Sequence, residues 1–533
     1  MKCSMKAGVK LLLGVAITIW FVNVAWAQAP SSGVERDLFS SPCSFPEGLS
    51  GEHGYIAVPE NRSKSDSRMI LVHYMRFFSR ADGPSRSPVF VLPAGPGEAY
   101  SEARINRDYR EDGRYNKVRE IIEFTKTRDV VIVNQRGNTS APGLWSREMV
   151  VFTKPGELGA VYPQSLRRKN LSDGFRQSIK RWSSAGIDLS GYGIASLVND
   201  VEDVRVSLGY DKICLRGASF GSQESLVYMT CFPANVERAM LHGVEPVDFE
   251  YDSAGGIWAA LERIEMAVKA DPEFVLPKPG LLGAIQEIVE RLEESPVKVE
   301  GVHPKRDLKR DVVIDADDFR NYIRDCGMGR SPREDVAYLP KFVKEIYDGD
   351  YRLLASRIVD DRPETYEGAL LSFLINGSLG ISSERKQNLD AEPAKRWLGD
   401  LSWRNDAVGL LVPAPKLESK FQKLQTLNIP VLLIQGDLDF STPFENAVEQ
   451  QKYLPKSHLI RIKGGTHATT YDAVDANPDF PQLMYDFMNC EIEDTALEKF
   501  FATLPIEIEM PPIKFKSGSR SLFEELRARG SGQ

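Results

Sequence analysis

Cysteine is scarce, with six in 533 residues, far below the density that holds a disulfide scaffold together. Histidine is equally scarce, also six, and no two stand at the spacing of a zinc-binding pair, which disfavours a metallohydrolase. Positive charge is not in excess either. With 67 basic against 75 acidic residues and a formal net charge of −8, nothing is left over to neutralise phosphates, so nucleic acid is disfavoured as a partner. Beyond the N-terminus no apolar run approaches the roughly 20 residues of a membrane span. What is present, 42% hydrophobic and 27% charged residues, describes an acidic globular chain able to bury a substantial core.

Residues 1–27 read as a signal peptide. Lys2, Lys6 and Lys10 form a positive n-region, an apolar run covers 11–22, and Ala25-Trp26-Ala27 offers small residues at both cleavage-site positions. The run is short for a bilayer, so the expectation is a cleaved leader and a secreted or periplasmic product with no membrane span. Cleavage takes three lysines and no acid from the formal charge of −8, leaving −11. It also removes Cys3. The five remaining cysteines, Cys43, Cys214, Cys231, Cys326 and Cys490, are odd in number, so at least one thiol has no partner within the chain. Cys214, in a strand-like run, reads as a small buried hydrophobe.

The rest divides as 28–248, 249–404, 405–490 and 491–533. After a loose segment, residues 55–59 and 69–77 predict two strands around a polar turn. Continuous apolar or β-branched runs at 89–92, 130–133, 213–215 and 431–434 predict strands buried on both faces, as in a parallel sheet. Between the second and third, Ile194, Leu197, Val198, Val201, Val204 and Leu208 recur at helical spacing and Gly209 stops the run. Strand, helix and strand in that order make a βαβ unit. Over 249–404 the strand series is interrupted by helical patterns such as 257–270 and 282–292, and this segment is expected to be an inserted helical cap. Its Lys305-Arg306 and Lys309-Arg310 pairs read as a solvated face. In the C-terminal extension, 504–515 alternates and predicts an added edge strand.

The sharpest local signal is Gly217-Ala218-Ser219-Phe220-Gly221, set between the strand at 213–215 and a helical run over 222–230. A nucleophile elbow needs that context, because small neighbours let the backbone approach closely and leave the serine hydroxyl exposed on a strained turn. Such a serine needs a base, and the base needs an orienting carboxylate. His467, in Gly464-Gly465-Thr466-His467-Ala468, follows the strand-like run 459–462, at the end of a strand where the sites of open α/β sheets collect. Asp437 and Asp439 follow the strand at 431–434, and either could be the acid. The order Ser, Asp, His is that of the α/β-hydrolase fold. His53, His73, His242, His303 and His458 have no comparable setting and read as ordinary core or surface residues.

With these residues in view the chain resembles the secreted branch of the proline iminopeptidase and tripeptidyl aminopeptidase family of α/β-hydrolases, over about 51–489. Ala57-Val58-Pro59-Glu60-Asn61-Arg62 resembles the family's Val-Pro-Glu turn, and Pro93-Ala94-Gly95-Pro96-Gly97 its oxyanion loop. Asn134-Gln135-Arg136-Gly137 resembles its Asp-Gln-Arg-Gly strand end. Asp200, Asp203, Arg205 and Leu208-Gly209 resemble the helix that leads to the nucleophile. Residues 436–443 resemble the Gly-x-x-Asp-x-x-Thr-Pro acid motif, which selects Asp439.

The resemblance implies an α/β-hydrolase fold with a mostly parallel central sheet and an inserted helical cap. It implies acyl transfer through Ser219, Asp439 and His467, and an oxyanion hole from the N–H of Phe220 with that of Gly95 or Ala94. It also implies recognition of a free α-amino group by acids, with Glu98 and Glu245 as candidates. The substrate is then a peptide or a small acyl compound, with no cofactor or metal. Three departures stand out: Pro93 and Ala94 occupy positions where glycine is usual, Asn134 replaces the aspartate, and Glu52-His53-Gly54 stands where secreted relatives often carry a cysteine. The competing expectations are an esterase with the same triad and a catalytically silent binding protein.

Overall fold

The computed structural model describes residues 38–530 apart from 83–85, 112–115, 139–149, 154–156, 250–251, 304–305, 307, 327–331, 362–365 and 424. The signal-peptide reading with its Ala25-Trp26-Ala27 site lies outside the described residues, as does Lys305 of the first basic pair.

Ten strands form one sheet. In chain order they are β1 (Leu38–Ser44), β2 (Ser50–Pro59), β3 (Met69–Phe77), β4 (Val89–Val91), β5 (Val130–Val133), β6 (Ile213–Ala218), β7 (Val236–His242), β8 (Val431–Gly436), β9 (Ser457–Lys463) and β10 (Glu507–Glu509). Their spatial order is β1-β2-β3-β5-β4-β6-β7-β8-β9-β10. The first three form an antiparallel meander, and β3 joins β5 antiparallel. From β5 to β10 every pairing is parallel. All four residues of β5 and all six of β8 are buried, which is why these strands read as unbroken apolar runs. The βαβ unit is closed by the helix Ile194–Ser207, whose Ile194, Leu197, Val198, Val201 and Val204 are buried. This is the α/β-hydrolase architecture expected from the sequence.

Two elements depart from the sequence reading. The segment read as loose is β1, paired residue for residue with β2 from Leu38 opposite Ile56 to Ser44 opposite Ser50. Its sequence LFSSPCS has no β-branched residue and no alternation, so the pairing is set by its neighbour rather than by local propensity. The edge strand expected over 504–515 is only β10, three residues long, because Pro511 and Pro512 follow it and cannot donate to a ladder.

Residues 254–408 are mainly helical, with a separate hydrophobic cluster that includes Leu261, Ile264, Leu281, Ile285, Ile288, Phe319 and Phe342. They also contain an antiparallel hairpin, Val297–Val302 with Lys309–Ile314. Lys309 and Arg310 lie exposed on it, Lys309 2.9 Å from Glu300. A stretch upstream of the insertion joins the same layer. Strand Val150–Thr153 pairs with Tyr366–Ala369, and the start of helix Gln164–Ser184 is held by Asp315, Asp317 and Asp318 through Tyr162 N, Gln164 N and Arg167 at 2.6–2.9 Å. All five cysteines among the described residues are free thiols, and burial pushes the Cys214 thiol up to about 12. No described helix is long and apolar enough to cross a membrane.

Candidate active site

Ser219 sits between β6 and the helix Phe220–Cys231, with φ 52° and ψ −129°. It is one of two non-glycine residues at positive φ among those described, a region that side chains adopt only under constraint. The constraint is visible on both sides. Ser219 N donates to His242 O at the end of β7, 3.0 Å away. A Cβ on Gly217 would overlap Gly221 O and stand 2.5 Å from Ser225 Oγ, and one on Gly221 would stand 2.9 Å from the carbonyl oxygens of Leu92 and Pro93. Both glycines of the motif are therefore required by close backbone approach. The second contact also places the loop after β4 directly against the start of the serine's helix.

The acid and the histidine meet above β8 and β9. His467 Nδ1 lies 2.9 Å from Asp439 Oδ2 and 3.1 Å from Oδ1. Asp439 is fully buried, and its carboxylate also accepts from Ser441 N, Thr442 N, Thr442 Oγ1 and Gln435 Nε2 at 2.7–3.1 Å. These donors hold the carboxylate in place against Nδ1 and leave His467 Nε2 as the nitrogen free to accept a proton. Burial alone lowers the imidazole's pKa, but the charge and hydrogen bond of Asp439 outweigh it, and the net shift is upward from 6.5. A Cβ on Gly243 would stand 3.4 Å from both His467 Cε1 and Ser219 N, so the imidazole and the elbow lie against the same glycine. Among the described residues Ser219 Oγ itself makes no hydrogen bond.

Asp437, the other carboxylate of the motif, is turned away. It pairs with Arg461 at 2.6 Å and accepts from Gly464 N at 2.7 Å, tying the histidine's loop to β9. The far side of that loop is held by Asp472, which accepts from Thr466 N and Oγ1. Gln435 is a residue the sequence reading passed over. Fully buried, it donates to Asp439 Oδ2 and Thr442 O and accepts from Val244 N at 2.6 Å, linking the acid loop to the strand end beside Ser219. Its signal was a polar side chain directly after the apolar run 431–434, still within the strand.

The loop after β4 is braced by Gln135, whose Oε1 accepts from Gly97 N at 2.5 Å while Nε2 donates to Gly95 O at 3.1 Å. The N–H groups of Ala94 and Gly95, both expected to face an oxyanion, donate to Glu98 Oε2 at 3.0 and 3.1 Å. Glu98 is thus on the loop's own donors rather than projecting from the loop, and its Oε1 accepts from Arg104 at 2.6 Å. Glu245 lies on the loop after β7, with its backbone N–H donated to Ser222 Oγ at 2.9 Å.

Most of the other family-like motifs are structural. Arg136 is fully buried, bidentate on Asp200 at 2.6 and 2.7 Å, and donates to Glu60 O and Gly191 O. Arg62 also pairs with Asp200, and Glu60 is held by Arg68 and Tyr192. Asn134 has a local reason. Burial, with His53 alongside, lowers His73 to about 4, so that imidazole is neutral and accepts from Asn134 Nδ2 at 2.8 Å. An aspartate would have no N–H for Tyr100 O, to which Asn134 Nδ2 also donates at 2.7 Å. His242, read as ordinary, is buried beside the elbow. Burial and the nearby cations Arg216 and Lys117 push its pKa well below 6.5, and Thr470 Oγ1 lies 2.7 Å from its Nδ1. Among the described residues no group of His, Cys, Asp and Glu is arranged to hold a metal ion.

A family model described as TAP-like protein matches residues 404–477, the stretch that carries Asp439 and His467. The tripeptidyl aminopeptidase of Streptomyces lividans is 22% identical over 483 residues, covering 84% of this chain and 83% of that protein. The serine protease Hip1 of Mycobacterium tuberculosis is 22% identical over 222 residues, 39% of this chain and 40% of that protein, so the match spans about two fifths of that relative's length. A solved bromoperoxidase from Bacillus anthracis covers 82% of this chain and is covered over 99% of its own, with 15% identity and a TM-score of 0.32, a likeness too weak to bear on the site. The resemblance read from the motifs is thus met by a family model, a tripeptidyl aminopeptidase and a serine protease.

Proposed function

We propose that this chain, an α/β-hydrolase similar to the tripeptidyl aminopeptidases, is an exported serine hydrolase that releases N-terminal residues or short peptides through an acyl-enzyme on Ser219. The observation that carries the reading is the buried Asp439 fixed on His467 Nδ1, at strand ends beside a serine held at φ 52°. Ser219 Oγ attacks the carbonyl carbon while His467 Nε2 takes its proton, and Asp439 stabilises the imidazolium. The N–H of Phe220, with that of Gly95 or Ala94, binds the developing oxyanion, each donor contributing about 3 kcal/mol in comparable sites. The imidazolium returns its proton to the leaving amine, and water then repeats the sequence on the acyl-enzyme. No step calls for a cofactor or metal. Export rests on the leader sequence, and the helical insertion at 249–404 is the cap that limits substrate length.

The test is labelling with a fluorophosphonate probe together with a panel of aminoacyl- and tripeptidyl-arylamides and acyl esters. Stoichiometric labelling that disappears in Ser219→Ala, with turnover of arylamides bearing a free amine, is the expected result. An unlabelled protein overturns the hydrolase reading. Turnover of esters alone, with free and blocked amines treated alike, overturns the peptidase part of it.

A further inference from the structure

Glu98 occupies the donors that the reaction needs. Its Oε2 accepts from both Ala94 N and Gly95 N, at 3.0 and 3.1 Å, while its Oε1 accepts from Arg104 at 2.6 Å. The loop does not depend on this carboxylate for its shape. Gln135 holds it at Gly95 O and Gly97 N, and the carbonyl groups of Leu92 and Pro93 are seated against Gly221. Glu98 is also 28% exposed, so it has room to move. It behaves as a removable ligand on a preformed anion-binding loop.

A carboxylate on two backbone N–H groups makes charge-assisted hydrogen bonds, stronger than those a neutral substrate carbonyl would make with the same donors. A substrate that offers nothing to Glu98 therefore competes with it at a disadvantage. A substrate carrying a cation near the scissile carbonyl gives the carboxylate a new partner and frees the loop. We propose that Glu98 is a self-ligand of the oxyanion loop, drawn off it by a cationic substrate group, and that it thereby sets selectivity for cationic over neutral acyl substrates. The inference rests on the acyl-enzyme reading above, in which that group is the free α-ammonium of a peptide.

The experiment compares wild type, Glu98→Gln and Glu98→Ala in kcat/KM for one aminoacyl arylamide with a free amine and for its N-acetyl counterpart. The rate of Ser219 labelling by a neutral fluorophosphonate is measured alongside. In Glu98→Ala, labelling and turnover of the N-acetyl substrate are expected to rise about tenfold while the free-amine substrate loses at least as much, given the strength of a charge-assisted contact. Glu98→Gln, nearly isosteric and neutral, is expected to fall between. Equal-proportion changes in the two substrates with no faster labelling, in both variants, overturn the inference and leave Glu98 as loop support. A wild type that labels normally under that outcome keeps the hydrolase reading intact, whereas a wild type that never labels removes both.

Discussion

At the scale of single residues, Ser219 holds a conformation that glycine adopts without strain, at a cost of about 1–3 kcal/mol for a side chain in a sparsely populated region. Ser219→Gly is therefore expected to be inactive and more stable than Ser219→Ala by about 1 kcal/mol, after allowing for glycine's larger unfolded-state entropy. Urea unfolding of the two variants measures this, and equal midpoints would show that the elbow is unstrained. The two carboxylates of the acid motif separate in the same way. Asp439→Asn should lower kcat by about 10⁴-fold by presenting the wrong partner to His467. Asp437→Asn should instead lower stability by about 1–3 kcal/mol, through its contacts to Arg461 and Gly464, with a smaller effect on kcat. The raised pKa of His467 adds a pH signature. As the proposed base it must be neutral, so the acid limb of kcat/KM is expected above pH 6.5, and Asp439→Asn is expected to move that limb down. The same raised pKa stabilises the fold fully below the unfolded value of 6.5, and this contribution is lost as pH rises through the folded pKa.

Among the elements, the turn between β6 and its helix depends on two glycines that do different things. A methyl group on Gly217 meets Gly221 O and Ser225 Oγ within the turn itself, whereas one on Gly221 meets the carbonyl groups of the loop after β4. Gly217→Ala is expected to destabilise the protein by about 3 kcal/mol, at the upper end of overpacking costs, because backbone must shift. Gly221→Ala should cost less stability but slow fluorophosphonate labelling more, because it pushes the loop after β4, the proposed oxyanion loop, away from the start of the serine's helix. Thermal unfolding and labelling rates on both variants distinguish the two roles, and matching profiles would sink the distinction. This turn, the buried strands and the helix before them were legible in the sequence because each is encoded locally, by spacing or by a run. β1 was not, since its pairing belongs to β2. Nor was the choice between Asp437 and Asp439 from spacing alone, because it is made by Arg461 on one side and Gln435 on the other. The position of Glu98 was likewise hidden, since a carboxylate four residues along a loop can turn either inward or outward.

In the whole molecule, the C-terminal segment links the sheet to the helical layer. Its β10 lies on the sheet edge, with Ile508 and Met510 in the cluster beneath the sheet. Phe515, Leu522 and Phe523 then join the cluster of the helical insertion. Lys341, nearly buried, is 2.8 Å from Glu525 and donates to Arg520 O at 2.6 Å, and Leu522 N donates to Glu345. Deleting residues 511–533 would take these three large side chains out of the cluster, each contributing about 1.5–3 kcal/mol as an upper estimate, and would strand the Lys341 ammonium without its partner. None of Ser219, Asp439 and His467 touches this segment through a hydrogen bond among the described residues. The truncated protein is therefore expected to unfold in two steps, the helical layer first, while the sheet and its labelling by fluorophosphonate persist to a higher temperature. Calorimetry with labelling at intermediate temperature tests this. A single transition at the wild-type temperature would mean that the tail braces nothing. Loss of labelling together with the first step would mean that the site belongs to the helical layer as much as to the sheet.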